Sequence, residues 1–254
     1  MRNWNGKTLS AWKSLPPCSN CLESDGGKMT TLVYVGANKG HTLNSIYRNF
    51  DQVIAFEPDP EMFADLERNI VETKDTQVVL VNAACSTTDG EQTLYVTGNR
   101  VASSLGDGVK EFKDFHGFNA AVIKEITVQT VNLSEFLETG EVEKIDLYVS
   151  DAQGSDLTVL KTLKERYIDT SNIGELFLET HQNGTYLYEG LYNQLDGFKE
   201  LLGENYNLIH ASLGCENGRL VTEEDIPESN PEFDTYWRLK TRENDGRIGS
   251  TLRA

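Results

Sequence analysis

The sequence has no long hydrophobic run and is poor in basic residues. No stretch approaches the roughly 20 apolar residues that a membrane-spanning helix needs, and the opening stretch M-R-N-W-N-G-K-T-L-S lacks the apolar core of a secretory signal. The 254 residues include 23 Lys and Arg against 40 Asp and Glu, which gives a net charge of −17. Proteins that bind nucleic acid usually carry a basic patch. We therefore expect a cytoplasmic protein that acts on a small molecule, without nucleic acid or a membrane as its partner.

Cysteine is also scarce, with four residues in the chain. Cys18 and Cys21 form a C-x-x-C pair, which can supply half of a zinc site. No second C-x-x-C or H-x-x-x-H pair accompanies it, so we interpret the two as incidental thiols. Cys85 and Cys215 lie far apart in the sequence, and we expect a reduced intracellular chain.

What the sequence does contain is a strand, a glycine turn and a helix in direct succession. Residues 31–35 are apolar and rich in β-branched side chains, which predicts a buried strand. Gly36, Asn38 and Gly40 follow as a tight turn, and residues 41–50 can form a helix. This arrangement directs backbone N–H groups and a helix N-terminus at an anionic ligand.

A second apolar run, residues 52–56, ends at Glu57, which lies 21 positions after Gly36. An acid at the tip of the neighbouring parallel strand can accept hydrogen bonds from both hydroxyls of a ribose. The two glycines, four positions apart, depart from the G-x-G-x-x-G fingerprint of dinucleotide sites. We therefore expect a nucleoside cofactor without a pyrophosphate, such as S-adenosylmethionine.

The rest of the chain alternates predicted strands and helices, which indicates a doubly wound α/β sheet with right-handed crossovers. We divide it into an N-terminal extension (1–28) with a short helix, one domain (29–222) and a C-terminal tail (223–254) that packs on or extends the domain. A polar loop at 100–120 is expected to lie over the site. Further strands are predicted at 77–81, 92–96, 125–131, 144–149, 173–178 and 206–211, helices at 8–15, 61–72, 133–137, 156–167 and 188–202, and a hairpin turn at Asn217-Gly218.

Polar side chains follow two neighbouring predicted strands, where the ligand crevice of a doubly wound sheet lies. Asp151, Gln153 and Asp156 follow one strand, and Glu179 and His181 follow the next. Such a group can deprotonate a hydroxyl or bind a divalent metal through Asp151, Glu179 and His181. For Asp156 we favour a structural role as a helix cap.

Several motifs together resemble the FkbM-type S-adenosylmethionine-dependent methyltransferases. The resemblance covers roughly residues 29–213. The runs E-P-D-P, A-S-S-L and D-x-Q-G are its most specific parts. The motifs are V-Y-V-G-A-N-K-G-H-T from Val33, A-F-E-P-D-P from Ala55, N-A-A from Asn82, A-S-S-L from Ala102, V-N-L-S-E-F-L from Val131, D-A-Q-G from Asp151 and L-F-L-E-T-H from Leu176.

The resemblance implies a Rossmann-like sheet of about seven strands with the last one antiparallel, and O-methyl transfer to a sugar, glycan or similar small molecule. It assigns the methionine part of the cofactor to the turn after the first strand and the ribose to Glu57. It places Asn82 or Ala83 near the adenine, and Ser103 or Ser104 together with Asp151 near the transferred methyl group. The residues implied in cofactor binding are Gly36, Ala37, Asn38, Gly40, Glu57, Pro58, Asn82, Ala83, Ser103, Ser104 and Asp151. The family usually has Asp-x-Glu-Gly where this chain has Gln153, which weakens the case for a metal.

A sugar hydroxyl is a poor nucleophile near neutral pH, so a base or a metal should assist methyl transfer. Our hypothesis is that Asp151 or His181 accepts the proton, with Glu179 orienting His181 or joining a divalent metal. Three alternatives stay open at this stage. They are an NAD-dependent oxidoreductase, a non-catalytic module with the same fold in a glycan-processing assembly, and methylation of a protein or nucleic acid.

Overall fold

A computed structural model describes residues 2–4, 29–109, 113, 121–213, 219–227 and 230–240. The predicted helix at 8–15, the Cys18–Cys21 pair, Cys215 and the Asn217-Gly218 turn lie outside the described residues.

The fold is a doubly wound α/β sheet, as predicted. Nine described strands form the main sheet in the order β1-β4-β3-β2-β8-β9-β12-β10-β11, and β5-β7-β6 form a small second sheet. Seven central strands correspond to the predicted number, and the short β1 and β11 extend the two edges. The strands are β1 (Arg2–Trp4), β2 (Thr31–Val35), β3 (Gln52–Phe56), β4 (Gln77–Val81), β5 (Ala84–Ser86), β6 (Gly90–Thr97), β7 (Val122–Asn132), β8 (Ile145–Ser150), β9 (Ile173–His181), β10 (Tyr206–Leu213), β11 (Arg219–Val221) and β12 (Glu232–Leu239).

Strands β1 to β4, β8 and β9 pair in parallel, whereas β12 runs antiparallel between β9 and β10. The last strand is therefore antiparallel, as the resemblance implied. It lies inside the sheet rather than at its edge, because residues 232–239 pair with β9 on one side and with β10 on the other.

The helices lie on both faces of this sheet. Asp59 begins α2 by accepting a hydrogen bond from the backbone N–H of Glu61 at 2.9 Å, and Pro60 occupies the first turn. Asn132 caps α3 in the same way. No helix in the described part of the chain is long and apolar enough to cross a membrane. The helices are α1 (His41–Ile46), α2 (Pro60–Asn69), α3 (Leu133–Thr139), α4 (Asp156–Thr162) and α5 (Leu195–Leu202).

Apolar side chains on the two faces of the sheet form separate clusters. Every residue of β2 and β3 is buried, as expected for parallel strands covered on both sides. Val33 and Ile54 belong to a cluster with side chains of α3, α4 and α5, whereas Leu32 and Val53 belong to one with side chains of α1 and α2. This alternation holds the ends of β2, β3 and β8 in a fixed register at the site.

Two predicted helices differ from the structure. The helix expected over 188–202 begins only at Leu195. Gly190 takes a left-handed φ of +72°, and the side chain of Asn193 bonds to the N–H of Leu157 and to Asp156 instead of supporting a helix. The helix expected over 156–167 ends at Thr162 and is followed by a π-helical turn at Lys164–Ile168.

Candidate functional site

A cavity of about 240 Å³ opens at the carboxyl ends of β2, β3 and β8. Strands β3 and β4 continue the sheet on one side of β2, and β8 and β9 continue it on the other. The strand order therefore reverses between β2 and β8, which is where doubly wound sheets bind their ligands.

The turn after β2 forms the floor of the cavity. Gly36 has a left-handed φ of +76°, and a Cβ built on it would lie 1.9 Å from the carbonyl oxygen of Asp151. No other residue fits there, because a side chain would overlap the backbone of Asp151, which directly follows β8. The N–H groups of Gly36 and Ala37 donate to the carbonyl of Phe56 at 3.1 and 2.9 Å. The turn is thus fixed against both neighbouring strands.

Gly40 serves packing and does not line the cavity. It precedes α1 with a φ of +76°, and a Cβ there would lie 2.6 Å from Cδ1 of Leu66 and 3.0 Å from Cγ1 of Ile70. The glycine therefore lets α1 approach α2 closely. The resemblance had assigned Gly40 to the methionine part of the cofactor, and the structure instead places it behind the turn.

Glu57 lines the cavity and is 6% exposed. Its Oε2 accepts from the N–H of Asn38 at 2.8 Å, and its Oε1 accepts from the N–H of Asp59 at 2.8 Å. Burial raises the pKa of Glu57 to about 8, although these two backbone hydrogen bonds act in the opposite direction. When Glu57 is ionised, its carboxylate has about four acceptor positions, so each oxygen can then accept a further hydrogen bond from a hydroxyl in the cavity.

Asn82 supports the E-P turn from outside the cavity lining. Its side-chain amide donates to the carbonyls of Glu57 and Pro58 at 2.8 and 3.1 Å. Pro58 and Ala83 do line the cavity. Next to Ala83, the side chains of Cys85 and Leu94 make this end of the cavity apolar.

The A-S-S-L run brings the loop at 98–109 against the D-A-Q-G turn. Ser103 lines the cavity, and its Oγ accepts from the N–H of Thr97 at 3.2 Å. Ser104 also lines the cavity, and its hydroxyl donates to the carbonyl of Gln153 at 2.6 Å. Both serines therefore fix the loop, and through it the shape of the cavity.

Arg100 is a cavity residue that sequence reasoning missed. It is half-buried, has a left-handed φ of 63°, and forms ion pairs with Asp59 at 2.8 Å and with Glu61 at 2.6 Å. Its carbonyl accepts from the side-chain amide of Asn38 at 3.3 Å. Arg100 thus fastens the loop to the start of α2 and to the glycine turn. In the sequence, the only indication of such an arginine is the pair of acids at the start of α2, Asp59 and Glu61.

Asp151, at the end of β8, faces the cavity. The amide nitrogen of Gln153 donates to Oδ1 of Asp151 at 2.6 Å and to Oε1 of Glu179 at 2.5 Å, and the amide oxygen accepts from the Tyr188 hydroxyl at 2.6 Å. The Asp151 side chain is exposed to the cavity, and the surrounding protein removes part of its contact with bulk water. This burial, together with the charge of Asp156, raises the pKa of Asp151 to about 6.

Asp156 is fully buried and organises the D-A-Q-G turn from behind. Its Oδ1 accepts from the Ser150 hydroxyl at 2.5 Å and from the N–H of Ala152 at 2.8 Å, and its Oδ2 accepts from the Asn193 amide at 3.0 Å. The role is structural, as expected, although Asp156 bonds to the turn before α4 and is not the residue at the cap position.

His181 lies apart from the cavity lining. It is 1% exposed, and neither ring nitrogen has a hydrogen-bond partner among the described residues. Burial lowers the pKa of His181 to about 4, so the ring is neutral at pH 7.

The predicted metal site at Asp151, Glu179 and His181 has no support in the described part of the chain. Among the residues that the structure describes, no three His, Cys, Asp or Glu side chains are grouped so that they could hold a metal ion. The amide of Gln153 donates to both Asp151 and Glu179, so a neutral side chain holds the position where a cation would bridge the two carboxylates.

Strand β12 contributes two further acids next to these groups. In its antiparallel pairing with β9, Asp234 lies opposite Glu179 and Glu232 lies opposite His181. Burial and the charge of Asp151 raise the pKa of each β12 acid to about 7. Sequence reasoning missed both, since it treated residues 223–254 as a tail.

The family model described as Methyltransferase FkbM domain matches residues 35–206, about two thirds of the 254-residue chain. The comparison with curated proteins gives no match.

Solved structures of methyltransferases resemble this chain at low identity. M. capricolum TrmK, in complex with S-adenosyl-homocysteine, is 11% identical with a TM-score of 0.42, and the match covers 82% of this chain and 62% of that one. This chain therefore spans less than two thirds of the length of TrmK. A putative methyltransferase from Streptococcus mutans, in complex with SAH, is 11% identical with a TM-score of 0.39. That match covers 84% of this chain and 90% of the other. An S-adenosylmethionine-dependent methyltransferase from Clostridium acetobutylicum is 8% identical with a TM-score of 0.41 and coverages of 84% and 85%.

Proposed function

The chain belongs to the FkbM methyltransferase family, and from this premise we propose that it transfers a methyl group from S-adenosylmethionine to a hydroxyl of a sugar, glycan or similar small molecule. The observation that carries the proposal is the meeting of Gly36, Glu57 and Asp151 around one cavity at the reversal point of the sheet.

The cavity residues fit this cofactor. Glu57 has acceptor positions left for the ribose hydroxyls, and the apolar end beside Ala83 and Cys85 suits an adenine ring. The close approach at Gly36 leaves backbone, rather than a side chain, facing the remaining part of the cofactor. When bound, S-adenosylmethionine supplies a methyl group already activated by a positively charged sulfur.

We assign the general base to Asp151. Its pKa of about 6 means that it is ionised near neutral pH and can accept a proton from an acceptor hydroxyl. Gln153 donates to Oδ1 and fixes the carboxylate, so we assign the proton to Oδ2. His181, our other candidate, is less suitable because it does not line the cavity.

The test separates cofactor binding from turnover. Wild type is expected to bind S-adenosylmethionine in calorimetry and to transfer labelled methyl groups to members of a panel of mono- and oligosaccharides. Asp151→Asn should still bind the cofactor, more weakly than wild type because one carboxylate is lost, and at saturating cofactor it should lose turnover by about 100-fold or more, which is typical for a positioned general base. Glu175→Gln is the matched control, since Glu175 lies at the exposed beginning of β9, where it pairs with Arg238. Unchanged turnover in Asp151→Asn would refute the assignment.

Cys85, the only cysteine among the described residues, is buried and free. We propose a cytoplasmic location, with which this free thiol is compatible.

A further inference from the structure

Acidic residues from three strands form a group that reaches the cavity at Asp151. Asp151 follows β8, Glu179 lies near the end of β9, and Glu232 and Asp234 begin β12. Side chains two positions apart on a strand share a face, and directly opposed residues of an antiparallel pair share it too. Since Glu179 opposes Asp234, and His181 opposes Glu232, all three β9–β12 acids project from the same face.

The acids are close enough to influence the cavity. Tyr34 lines the cavity, and its pKa is raised by burial and also by the charges of Asp151 and Asp234. The pKa of Glu179 is likewise raised by burial and by Glu232 and Asp151. Asp234 therefore acts on a cavity residue directly, and Glu232 acts on Glu179, which the amide of Gln153 connects to Asp151.

No basic side chain of the described residues forms an ion pair with any of these four carboxylates. Arg100, which lines the cavity, is already paired with Asp59 and Glu61. Lys39 lies 3.7 Å from Asp65. The buried His181 is neutral at pH 7, so it adds no compensating charge.

The apolar end of the cavity lies on the β3–β4 side, beyond Glu57, and Asp151 lies on the opposite side, at β8. If adenine occupies the apolar end and Glu57 receives the ribose, the sulfur falls on the acidic side. These acids have no basic partner among the described residues, and their raised pKa values mean that part of the group is protonated near pH 7. A fixed positive charge on the ligand favours their ionised form and is stabilised by it, because screening by water is weak in a partly buried site.

We propose that Asp151, Glu179, Glu232 and Asp234 make the site selective for the charge on sulfur, so that it binds S-adenosylmethionine more tightly than the uncharged product S-adenosylhomocysteine. This rests on the proposed function. The two ligands differ by one methyl group and one positive charge. Loss of that charge on methyl transfer removes the attraction, and the product leaves the site more readily.

The test compares three ligands by calorimetry at pH 7.5. S-Adenosylmethionine and sinefungin, which carries a protonated amine in place of the sulfonium methyl, should each bind at least about tenfold more tightly than S-adenosylhomocysteine, which corresponds to about 1.4 kcal/mol. Asp234→Asn should reduce the ratio of the affinity for S-adenosylmethionine to the affinity for S-adenosylhomocysteine by about threefold or more, without changing the cavity lining. Glu175→Gln, on the same β9–β12 face but paired with Arg238, should leave the ratio unchanged.

The outcomes are distinguishable. Binding of all three ligands with equal affinity, or tighter binding of the product, would overturn the charge selectivity and leave the cofactor assignment intact. Failure of all three to bind wild type would overturn the proposed function and the selectivity together. If Asp234→Asn does not fold, Glu232→Gln serves as the second variant, and an unchanged ratio in whichever variant folds also contradicts the proposal.

Discussion

Replacing Gly36 with alanine tests the architecture of the site directly. The new methyl group would lie 1.9 Å from the carbonyl oxygen and 2.7 Å from the carbonyl carbon of Asp151. Backbone atoms cannot rotate away as a flexible side chain would, so the ends of β2 and β8 must separate. This movement strains the hydrogen bond from the N–H of Asp151 to the carbonyl of Val35, which is 3.0 Å long.

The expected cost has two parts. A left-handed φ costs an alanine roughly 1–2 kcal/mol, and a buried backbone group left without its partner costs about 1–3 kcal/mol more. We therefore expect Gly36→Ala to lower the free energy of unfolding by about 3 kcal/mol. Because the change also displaces Asp151, turnover should fall by about 100-fold, in line with a misplacement of roughly 1 Å.

Gly184 offers a matched control, since it has a left-handed φ of +80° but no atom of the described residues within 4 Å of the position that a Cβ would take. Gly184→Ala carries only the conformational cost, which we expect to be about 1 kcal/mol. Urea denaturation of both variants, with calorimetry of S-adenosylmethionine binding, measures the difference. If Gly36→Ala is no less stable than Gly184→Ala and binds the cofactor as wild type does, the close approach between the two strands is not what the site depends on.

Three further predictions concern the cavity. Arg100→Gln removes both ion pairs to the start of α2, and cofactor affinity measured by calorimetry should fall about tenfold because the loop is no longer fastened. Burial raises the pKa of Glu57 to about 8 from an ordinary value of 4.5. The folded, cofactor-free protein therefore holds the carboxyl proton of Glu57 more tightly than the unfolded chain does. As the pH rises from roughly 6.5 to 8 and this proton is lost, the free energy of unfolding should fall by about 1.5 kcal/mol. Urea titrations should show a smaller loss in Glu57→Gln. Gln153→Glu replaces the amide between Asp151 and Glu179 with a third carboxylate, and the melting temperature should fall by several degrees, as differential scanning calorimetry would show.

The first half of the sheet could be predicted from sequence because its signals are local. Strands β2, β3 and β4 are short apolar runs buried on both faces, and the predicted bounds agree with the structure. The glycine turn and Glu57 could be predicted for the same reason, since a left-handed turn needs glycine and a strand-end acid stands out after four apolar residues. The turn and the acid are each indicated by residues that are neighbours in the chain.

The acidic side of the site depends on contacts between distant parts of the chain. Glu232 and Asp234 reach Glu179 only because β12 enters the sheet between β9 and β10. The alternation of buried Phe233, Thr235 and Trp237 with more exposed residues is a strand pattern, but it lies within a polar stretch and no local feature indicates its partner. Arg100 was missed for a related reason. Its two acidic partners lie about 40 positions away.

The amide at position 153 decides what the neighbouring carboxylates can do. Both of its N–H bonds go to acids, one to Asp151 and one to Glu179, while its oxygen accepts from Tyr188. A glutamate in this place would offer only acceptors when ionised, and three adjacent carboxylates would need a cation to hold them together. With glutamine, the two acids are held by a neutral donor, so Asp151 keeps a fixed orientation and its negative charge remains directed toward the cavity. The same residue that weakens the case for a metal thus preserves a base and an electrostatic preference for a cationic ligand.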